Sequence, residues 1–332
     1  MPKFCTDEEF IQAWHRLKSA KKVADHFGMG VRPVYSRRRT LEARHNISLQ
    51  ADSEPTAPNS IKTIVGKKIE ELAETRVRIY ERDIPIECTD GVVMVASDCH
   101  YWPGIVTDAH QAFCRLARAL KPQCVILNGD ILDGARISRH DRSMWQKLPT
   151  VKEEIHAVQD RCAEIERAAG KATLIRTIGN HDARFENYLC RMTPELEEMD
   201  GTTLLHYLPR WQACWAVHIN PDTDGWTVVR HRPVSGGIHA AYNSTLRSGT
   251  NYVHGHLHKL QVTPWADYRG RRYGVDSGTL AEPRGAQFDY TEAGPLNWAS
   301  GFVVLTFHEG KLLQPEMMVI EHGKPWFRGQ MV

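Results

Sequence analysis

The chain has no C-x-x-C spacing among its eight cysteines, which argues against a zinc ribbon or a dithiol redox motif. Scattered cysteines instead predict reduced thiols and a cytoplasmic setting. No apolar run approaches the ~18 residues that a membrane span needs, so no membrane association is expected. The first residues, Met1 to Glu9, lack the apolar stretch of a secretory signal. The net charge is only +2, too little for a global polyanion-binding signature. Internal repeats and low-complexity tracts are missing as well. What remains is 332 residues, 42% hydrophobic and 25% charged, the composition of a globular protein with room for one large and one small domain.

What the sequence does contain is five short polar blocks, each at the end of an apolar run. They are Asp98-Cys99-His100, Gly129-Asp130, Gly179-Asn180-His181-Asp182, His231, and Gly255-His256-Leu257-His258. Asp98 and His100 are two apart, as are His256 and His258, so on extended backbone each pair points the same way. On a helix neither pair would converge. Cys99 then faces the opposite side and reads as packing. A carboxylate such as Asp130 has two oxygens and can bridge two cations. Mixed imidazole, carboxylate and amide donors suit manganese first, with iron or zinc as alternatives. Each block alone has a bland explanation as a turn, cap or surface run. The five in order point to two divalent metal ions held about 3.5–4 Å apart for phosphoryl chemistry.

On these blocks the chain resembles the calcineurin-like metallophosphoesterase superfamily, with its D-x-H, GD, GNH-D/E, H and GH-x-H pattern. The resemblance spans Val92 to Val319. It implies an α/β fold, a two-sheet β-sandwich flanked by helices. It also implies one metal on Asp98, His100, Asp130 and His258, and a second on Asp130, Asn180, His231 and His256. His181 would stand beside the metals as a catalytic acid. Departures from the pattern matter too. Gly129-Asp130-Ile131-Leu132-Asp133-Gly134 lacks the Arg that follows GD-x-x-D in serine/threonine phosphatases, and Asp182 replaces their Glu. The chain is therefore more similar to the phage or prophage phosphoesterase, phosphodiesterase and nuclease branch.

Two cations would lower the pKa of a shared water from 15.7 towards about 7. The resulting metal-bridging hydroxide would attack phosphorus, and His181 would protonate the leaving alkoxide. Asp182 has two readings: it orients the His181 ring as a second catalytic residue, or it caps a loop. His231 ends the strand-like run Trp226–Arg230 and is preferred as fourth-block ligand over His239, which lies after Ser235-Gly236-Gly237. His254 is expected to point away from the ligands or to support one of them. Arg136, Arg139 and His140 follow the Gly-Asp block and are candidates to grip a substrate phosphate, or are exposed loop cations.

Residues 1–49 form a separate unit. Ten Lys/Arg oppose five Asp/Glu there, a net +5, so the remainder is slightly acidic. Thr6-x-x-Glu9 is a capping box opening a helix, with Phe10, Trp14 and Leu17 on one face. A second short helix carries Val23, Ala24 and Phe27. Gly28-Met29-Gly30 forms a turn, and a third helix starts near Arg32 with Pro33 in its first turn. Val34 and Tyr35 are expected inward, with Arg37, Arg38 and Arg39 clustered outward. This order resembles the helix-turn-helix units of phage and transposon proteins. It implies DNA binding through Arg32, Arg37, Arg38 and Arg39; a protein-docking module is the alternative.

Residues 50–60 read as a linker, and 61–90 as a bracing helix over Ile61–Tyr80 with a lead-in strand. The catalytic domain is placed at 91–332. Strands are predicted at Val92–Ser97, Cys124–Asn128, Thr173–Ile178, Trp226–Arg230, Asn251–Val253, Arg272–Val275, Phe302–Phe307 and Glu316–Ile320. Helices are predicted near 107–120, 150–169, 183–199 and 238–248. Residues 185–225 are read as an insertion, whose Tyr207, Arg210, Trp211 and Trp215 either pack as a lid or stack nucleobases. The leading functional expectation is a metal-dependent phosphodiesterase or nuclease acting on DNA, with DNA as partner. The alternatives are a small-molecule phosphatase or cyclic-nucleotide phosphodiesterase taking a small phosphoester, and a non-catalytic DNA-binding regulator with a structural metal site.

Overall fold

A computed structural model describes residues 5–49, 80–139, 147–196, 199–292 and 294–332. The expected linker 50–60, the helix over 61–79 and His140 lie outside the described residues. The chain divides into two compact units, Met1–Arg78 and Ile79–Val332.

Among the described residues, the first unit holds three helices: α1 (Asp7–Leu17), α2 (Ala20–Phe27) and α3 (Val31–His45). Thr6 and Glu9 form the capping box, each accepting the other's backbone N–H. Gly28 ends α2 at φ +66°, a left-handed position that favours glycine. Phe10, Trp14, Val23, Ala24, Val34, Leu41 and Leu49 make the core. One expectation is corrected. Tyr35 faces out, and Arg37 and Arg38 are half-buried rather than outward. Arg37 donates to the Cys5 carbonyl and to Asp7 and lies over the Phe10 ring. Arg38 pairs with Glu42 and lies over Trp14. Val34 and Leu41 set the buried stripe of α3, and Arg37 and Arg38 flank it, so their stems lie along α1.

In the second unit, β2 (Gly91–Ala96), β3 (Cys124–Asn128) and β4 (Thr173–Thr177) are parallel neighbours. They are joined through α4 (Asp108–Leu120) and α5 (Val151–Ala169). Thr107 and Thr150 cap these two helices, and both pack on one face of the sheet around Phe113, Val158, Leu127 and Phe302. Then α6 (Asp182–Met192) and the short α7 (Leu204–Tyr207) lead to β5 (Gln212–Ile219), β6 (Thr227–Val229), α8 (Ala240–Ser248), β7 (Asn251–His254), β8 (Gln261–Asp267) and β9 (Gly270–Asp276). β10 (Gly301–His308) returns antiparallel beside β2. β12 (Glu316–Glu321) follows at its other side, after the short β11 (Lys311–Leu312). β1 (Glu81–Ile86) pairs parallel with β5. Among the described residues, no helix is long and apolar enough to cross a membrane.

The expectation of two separate sheets is modified. Hydrogen bonds join the strands into one sheet of fourteen, ordered β12-β10-β2-β3-β4-β5-β6-β7-β9-β8 through its centre. Yet Ser97, at the end of β2, meets Ser277 at the end of β9 through their hydroxyls, and Leu280 N–H donates to Ser97 O. Six strand steps separate β2 from β9; flat, that is roughly 29 Å at about 4.8 Å per step. The sheet therefore folds back on itself. A second core of Val93, Val95, Ile126, Val217, Val253 and Val275 lies on the inner side, and α8 packs on β7, β8 and β9.

Residues 212–219, expected inside an insertion, are β5, a central strand between β4 and β6. Trp211 is buried with its indole N–H on Glu166, Arg210 pairs with the same carboxylate, and the Tyr207 hydroxyl donates to Gly201 O. Of the four side chains considered for stacking, Trp215 is the exposed aromatic.

Candidate metal centre

Because the sheet folds over, the ends of β2, β3, β4, β6 and β7 meet at one edge, where open α/β sheets place ligands. Backbone bonds tie these ends together: Asp98 N–H to Gly129 O, His100 N–H to Asp130 O, and Gly255 N–H to His231 O, each 3.0 Å. Glycines allow the approach. A Cβ on Gly179 would lie 2.0 Å from Asp130 Oδ1, and one on Gly255 would lie 2.4 Å from Asp98 Oδ2.

Three clusters result: Asp98–His100–His258, Asp130–His231–His256 and His100–Asp133–His181, the donor atoms within each lying within 4.8 Å of one another. The Asp98, His100, Asp130, His231 and His258 side chains are buried, and His256 is half-buried. Asp98 accepts the His256 backbone N–H at 2.8 Å and lies 3.0 Å from His258 Nε2. Asp130 Oδ1 accepts the His181 N–H at 2.7 Å, and its Oδ2 lies 3.1 Å from His231 Nε2. His231 is thus among the donors, whereas His239 is exposed just before α8. His254 turns its Nδ1 to Gly255 O at 2.8 Å and is not among the three clusters.

The histidines are oriented from behind. His100 Nδ1 donates to Asp133 at 2.9 Å and His231 Nδ1 to Asn128 O at 2.8 Å. Both partners only accept, so the Nε2 lone pairs face the centre, the arrangement that prepares imidazole for a metal. Among the described residues, His100 Nε2, His258 Nδ1 and Asn180 Oδ1 are buried without a hydrogen-bond partner, and His231 Nε2 has the Asp130 carboxylate 3.1 Å away. Three such orphaned atoms in one place cost about 1–3 kcal/mol each if nothing binds them. Asp98, His100, Asp130, His256 and His258 also hold left-handed backbone, φ between +40° and +72°, which costs of order 1–3 kcal/mol per residue. Orphaned acceptors and concentrated strain fit divalent cations, and the mixed donor set fits manganese, iron or zinc. Burial disfavours charge on His231, but before any cation binds Asp130 and Asp98 outweigh it and lift the ring to about 10. Its Nε2 then holds a proton that a metal would displace. Burial likewise opposes ionisation of Asp130, and the surrounding His231, His181 and His100 rings hold it well below its usual range.

Of the two readings of Asp182, its contacts fit the loop cap rather than the partner of the His181 ring. Its carboxylate is buried and accepts the backbone N–H groups of Asp130 (2.9 Å), Ile131 (3.0 Å), Leu132 (3.2 Å) and Gly179 (2.9 Å). It braces two ligand loops and makes no bond to the His181 ring among the described contacts. Asp133, three residues after Asp130, orients that ring instead. His181 Nδ1 lies 2.9 Å from Asp133 O and 3.2 Å from its Oδ1. Although burial opposes it, hydrogen bonds from His100 and His181 hold Asp133 well below the usual carboxylate range. Arg184 donates to Asp133 O at 2.9 Å and lies 3.0 Å from His181 Nε2. Burial disfavours protonated His181, but Asp133 and Asp130 outweigh it and raise the ring above its ordinary value. Buried Glu154 accepts the N–H groups of Gly134 (2.6 Å) and Ala135 (3.2 Å), fixing the loop after Asp133.

The substrate candidates separate. Arg136 is exposed and donates to Leu148 O at 2.6 Å, whereas Arg139 lines a cleft of about 560 Å³ beside Asn180 and His256.

No family model matches the chain. It is 27% identical over 221 residues to the gene 54 protein of Mycobacterium phage L5, a match covering 61% of this chain and 84% of that protein. The gene 54 protein of Mycobacterium phage D29 is 27% identical over 222 residues, with the same coverage. Among solved structures, Vps29 from Entamoeba histolytica complexed with Zn²⁺ is 14% identical, with a TM-score of 0.39 over 73% of this chain and 98% of that one. Vps29 from Chaetomium thermophilum is 11% identical, with a TM-score of 0.39 over 73% and 97%.

Proposed function

We propose that this chain is a phosphoesterase using two divalent metal ions, of the calcineurin-like type, and that its substrate is a DNA phosphodiester. The observation that carries the proposal is the set of buried ligand atoms gathered around Asp98 and Asp130: His100 Nε2, His258 Nδ1 and Asn180 Oδ1 without partners, and His231 Nε2 against the Asp130 carboxylate. One ion would be held by Asp98, His100, Asp130 and His258, the other by Asp130, Asn180, His231 and His256. When bound, such ions stabilise charge on phosphoryl oxygens and acidify a water towards about pKa 7.

The chain's own residues do the rest. Asp133 fixes the His181 ring through Nδ1, and Nε2, which faces the Arg184 guanidinium, is the atom left to give a proton to a leaving oxygen once that guanidinium turns to the phosphoryl group. Arg184, beside that nitrogen, supplies positive charge where a phosphoryl group would sit. Asp182 and Glu154 keep the loops carrying Asp130, Asp133 and Asn180 in register. DNA as substrate is supported by the basic helical N-terminal unit, read here as helix-turn-helix-like. On α3 the exposed residues Arg32, Tyr35, Ser36 and Arg39 share one face, so base and phosphate contacts are assigned to that face rather than to Arg37 and Arg38.

The test is hydrolysis of bis(p-nitrophenyl) phosphate, a cyclic nucleotide and labelled DNA by the full chain, with Mn²⁺ and with chelator. Metal-dependent cleavage of DNA, lost in His181→Ala, is expected. Fast turnover of the cyclic nucleotide with no DNA cleavage assigns the site to small phosphoesters instead.

A further inference from the structure

The cleft beside the metal centre is strongly one-signed. Arg139, Arg184, Arg191 and Arg232 line it, with Tyr188 and Asn187 between them. It shares Asn180, Asn187 and Arg232 with a second hollow of about 270 Å³ that adds Arg230 and Trp215. Five arginines, and no acidic side chain among the described lining residues, border a continuous depression that starts at Asn180 and His256. The whole chain is nearly neutral at +2, so this is a local concentration of charge.

Its floor is built by helix periodicity. Arg184, Asn187, Tyr188 and Arg191 lie at i, i+3, i+4 and i+7 along α6 and share one face. The Cα atoms of Arg184 and Arg191 lie ~10 Å apart along the helix, a spacing that lets different arginines meet successive phosphates. The Arg191 guanidinium lies 5.8 Å from the Tyr188 ring centre, so the cation and the aromatic surface are already arranged together. Trp215 is 46% exposed, a large indole open beside Arg230. Alternating cations and aromatic faces are what a flexible single strand uses: guanidinium groups track its phosphates and rings receive its bases.

The geometry points to a single-stranded nucleic-acid track in this cleft, with Arg139 and Arg191 as specificity residues that grip phosphates flanking the scissile one and Tyr188 and Trp215 as stacking surfaces. The inference deepens the DNA phosphodiesterase reading and rests on it for the scissile bond, although the track itself is a binding site. A single strand, rather than a duplex, follows from the burial of five of the seven metal-facing residues, with Asn180 and His256 half-buried where the cleft begins. A rigid duplex cannot lower one phosphate onto them, whereas a flexible strand or frayed end can.

The experiment compares the full chain with the double variant Arg139→Gln/Arg191→Gln and its charge-keeping counterpart Arg139→Lys/Arg191→Lys. Hydrolysis is measured on bis(p-nitrophenyl) phosphate, an oligothymidylate of about 12 nucleotides and its duplex. Binding of the labelled single strand is followed by anisotropy in EDTA. The wild-type chain should prefer the single strand. The Gln variant should lose about tenfold or more in kcat/KM on it, a loss several times larger than on the small diester, and show a log–log salt slope shallower by about 1.4, two phosphate contacts at about 0.7 each. The Lys variant should recover part of the loss. Equal losses on both substrates, or equal cutting of the duplex, would overturn the assignment. Should no phosphoester be cut, the phosphodiesterase reading fails and anisotropy decides the track alone: weakened binding in the Gln variant supports it, and unchanged binding overturns it.

Discussion

Replacing Asp182 with Asn separates a brace from a catalytic group. The carboxylate accepts four backbone N–H groups at 2.9–3.2 Å, two on each oxygen. An amide of the same shape keeps one oxygen and turns an NH₂ towards the other two donors. Two buried N–H groups then lose their acceptor, at about 1–3 kcal/mol each. Part is regained, because burial and the nearby Asp130 carboxylate make the Asp182 charge unfavourable and raise its pKa. The net loss is about 2–5 kcal/mol, a large share of the roughly 5–15 kcal/mol that holds a domain folded. For a unit of this size that is a fall in melting temperature of about 5–15 °C. Thermal unfolding by circular dichroism in chelator measures it. The reasoning is refuted if Asp182→Asn melts within about 2 °C of wild type yet hydrolyses no substrate, since Asp182 would then act in the reaction.

Other outcomes follow from particular contacts. Burial, with Asp133 close by, lifts Glu154 from its usual 4.5 to about 7. The folded chain thus holds this proton more tightly than the unfolded chain, and the resulting stability is complete below about pH 4.5 and lost as pH rises through about 7. Denaturant titrations of Glu154→Gln should accordingly gain on wild type between pH 5 and pH 8, by up to roughly 3 kcal/mol; a pH-independent difference would contradict the shift. In the N-terminal unit, Arg32→Ala/Arg39→Ala should weaken DNA binding without changing the melting temperature. Arg37→Ala, which removes contacts to Cys5, Asp7 and Phe10, should lower the melting temperature, and the reverse pattern would move the DNA face. Metal analysis after dialysis should find about two ions per chain, fewer in His231→Ala, and no change in His239→Ala; an unchanged count in His231→Ala would remove that residue from the site.

The legible parts of this chain were those with local signals. β-Branched runs ending in Asp98, Asp130, Asn180, His231 and His256 marked both the strands and the edge on which they finish. Thr6-x-x-Glu9 marked α1. Other features depend on contacts far apart in sequence. Asp133 lies in plain view three residues after Asp130, but nothing nearby shows that it faces His100 and His181. Asp182 adjoins His181, and adjacency suggested a pair; in the first turn of α6 its carboxylate instead turns towards the backbone of the Asp130 loop. β5 escaped notice because Gln212 to Ile219 mixes Trp215 and His218 into its pattern and does not alternate cleanly. The arginine face of α6 has regular helical spacing, a signal present in the sequence, but the cleft it lines exists only once the sheet folds back.

The central claim is that the converging donors hold metal for phosphoester hydrolysis. It is tested most directly by titrating Mn²⁺ into chelator-treated full chain while following bis(p-nitrophenyl) phosphate hydrolysis, beside Asp130→Ala. The account predicts activity that appears with bound metal, disappears in EDTA and is lost in Asp130→Ala. A chain that binds its metal fully and hydrolyses neither this diester nor DNA would contradict it.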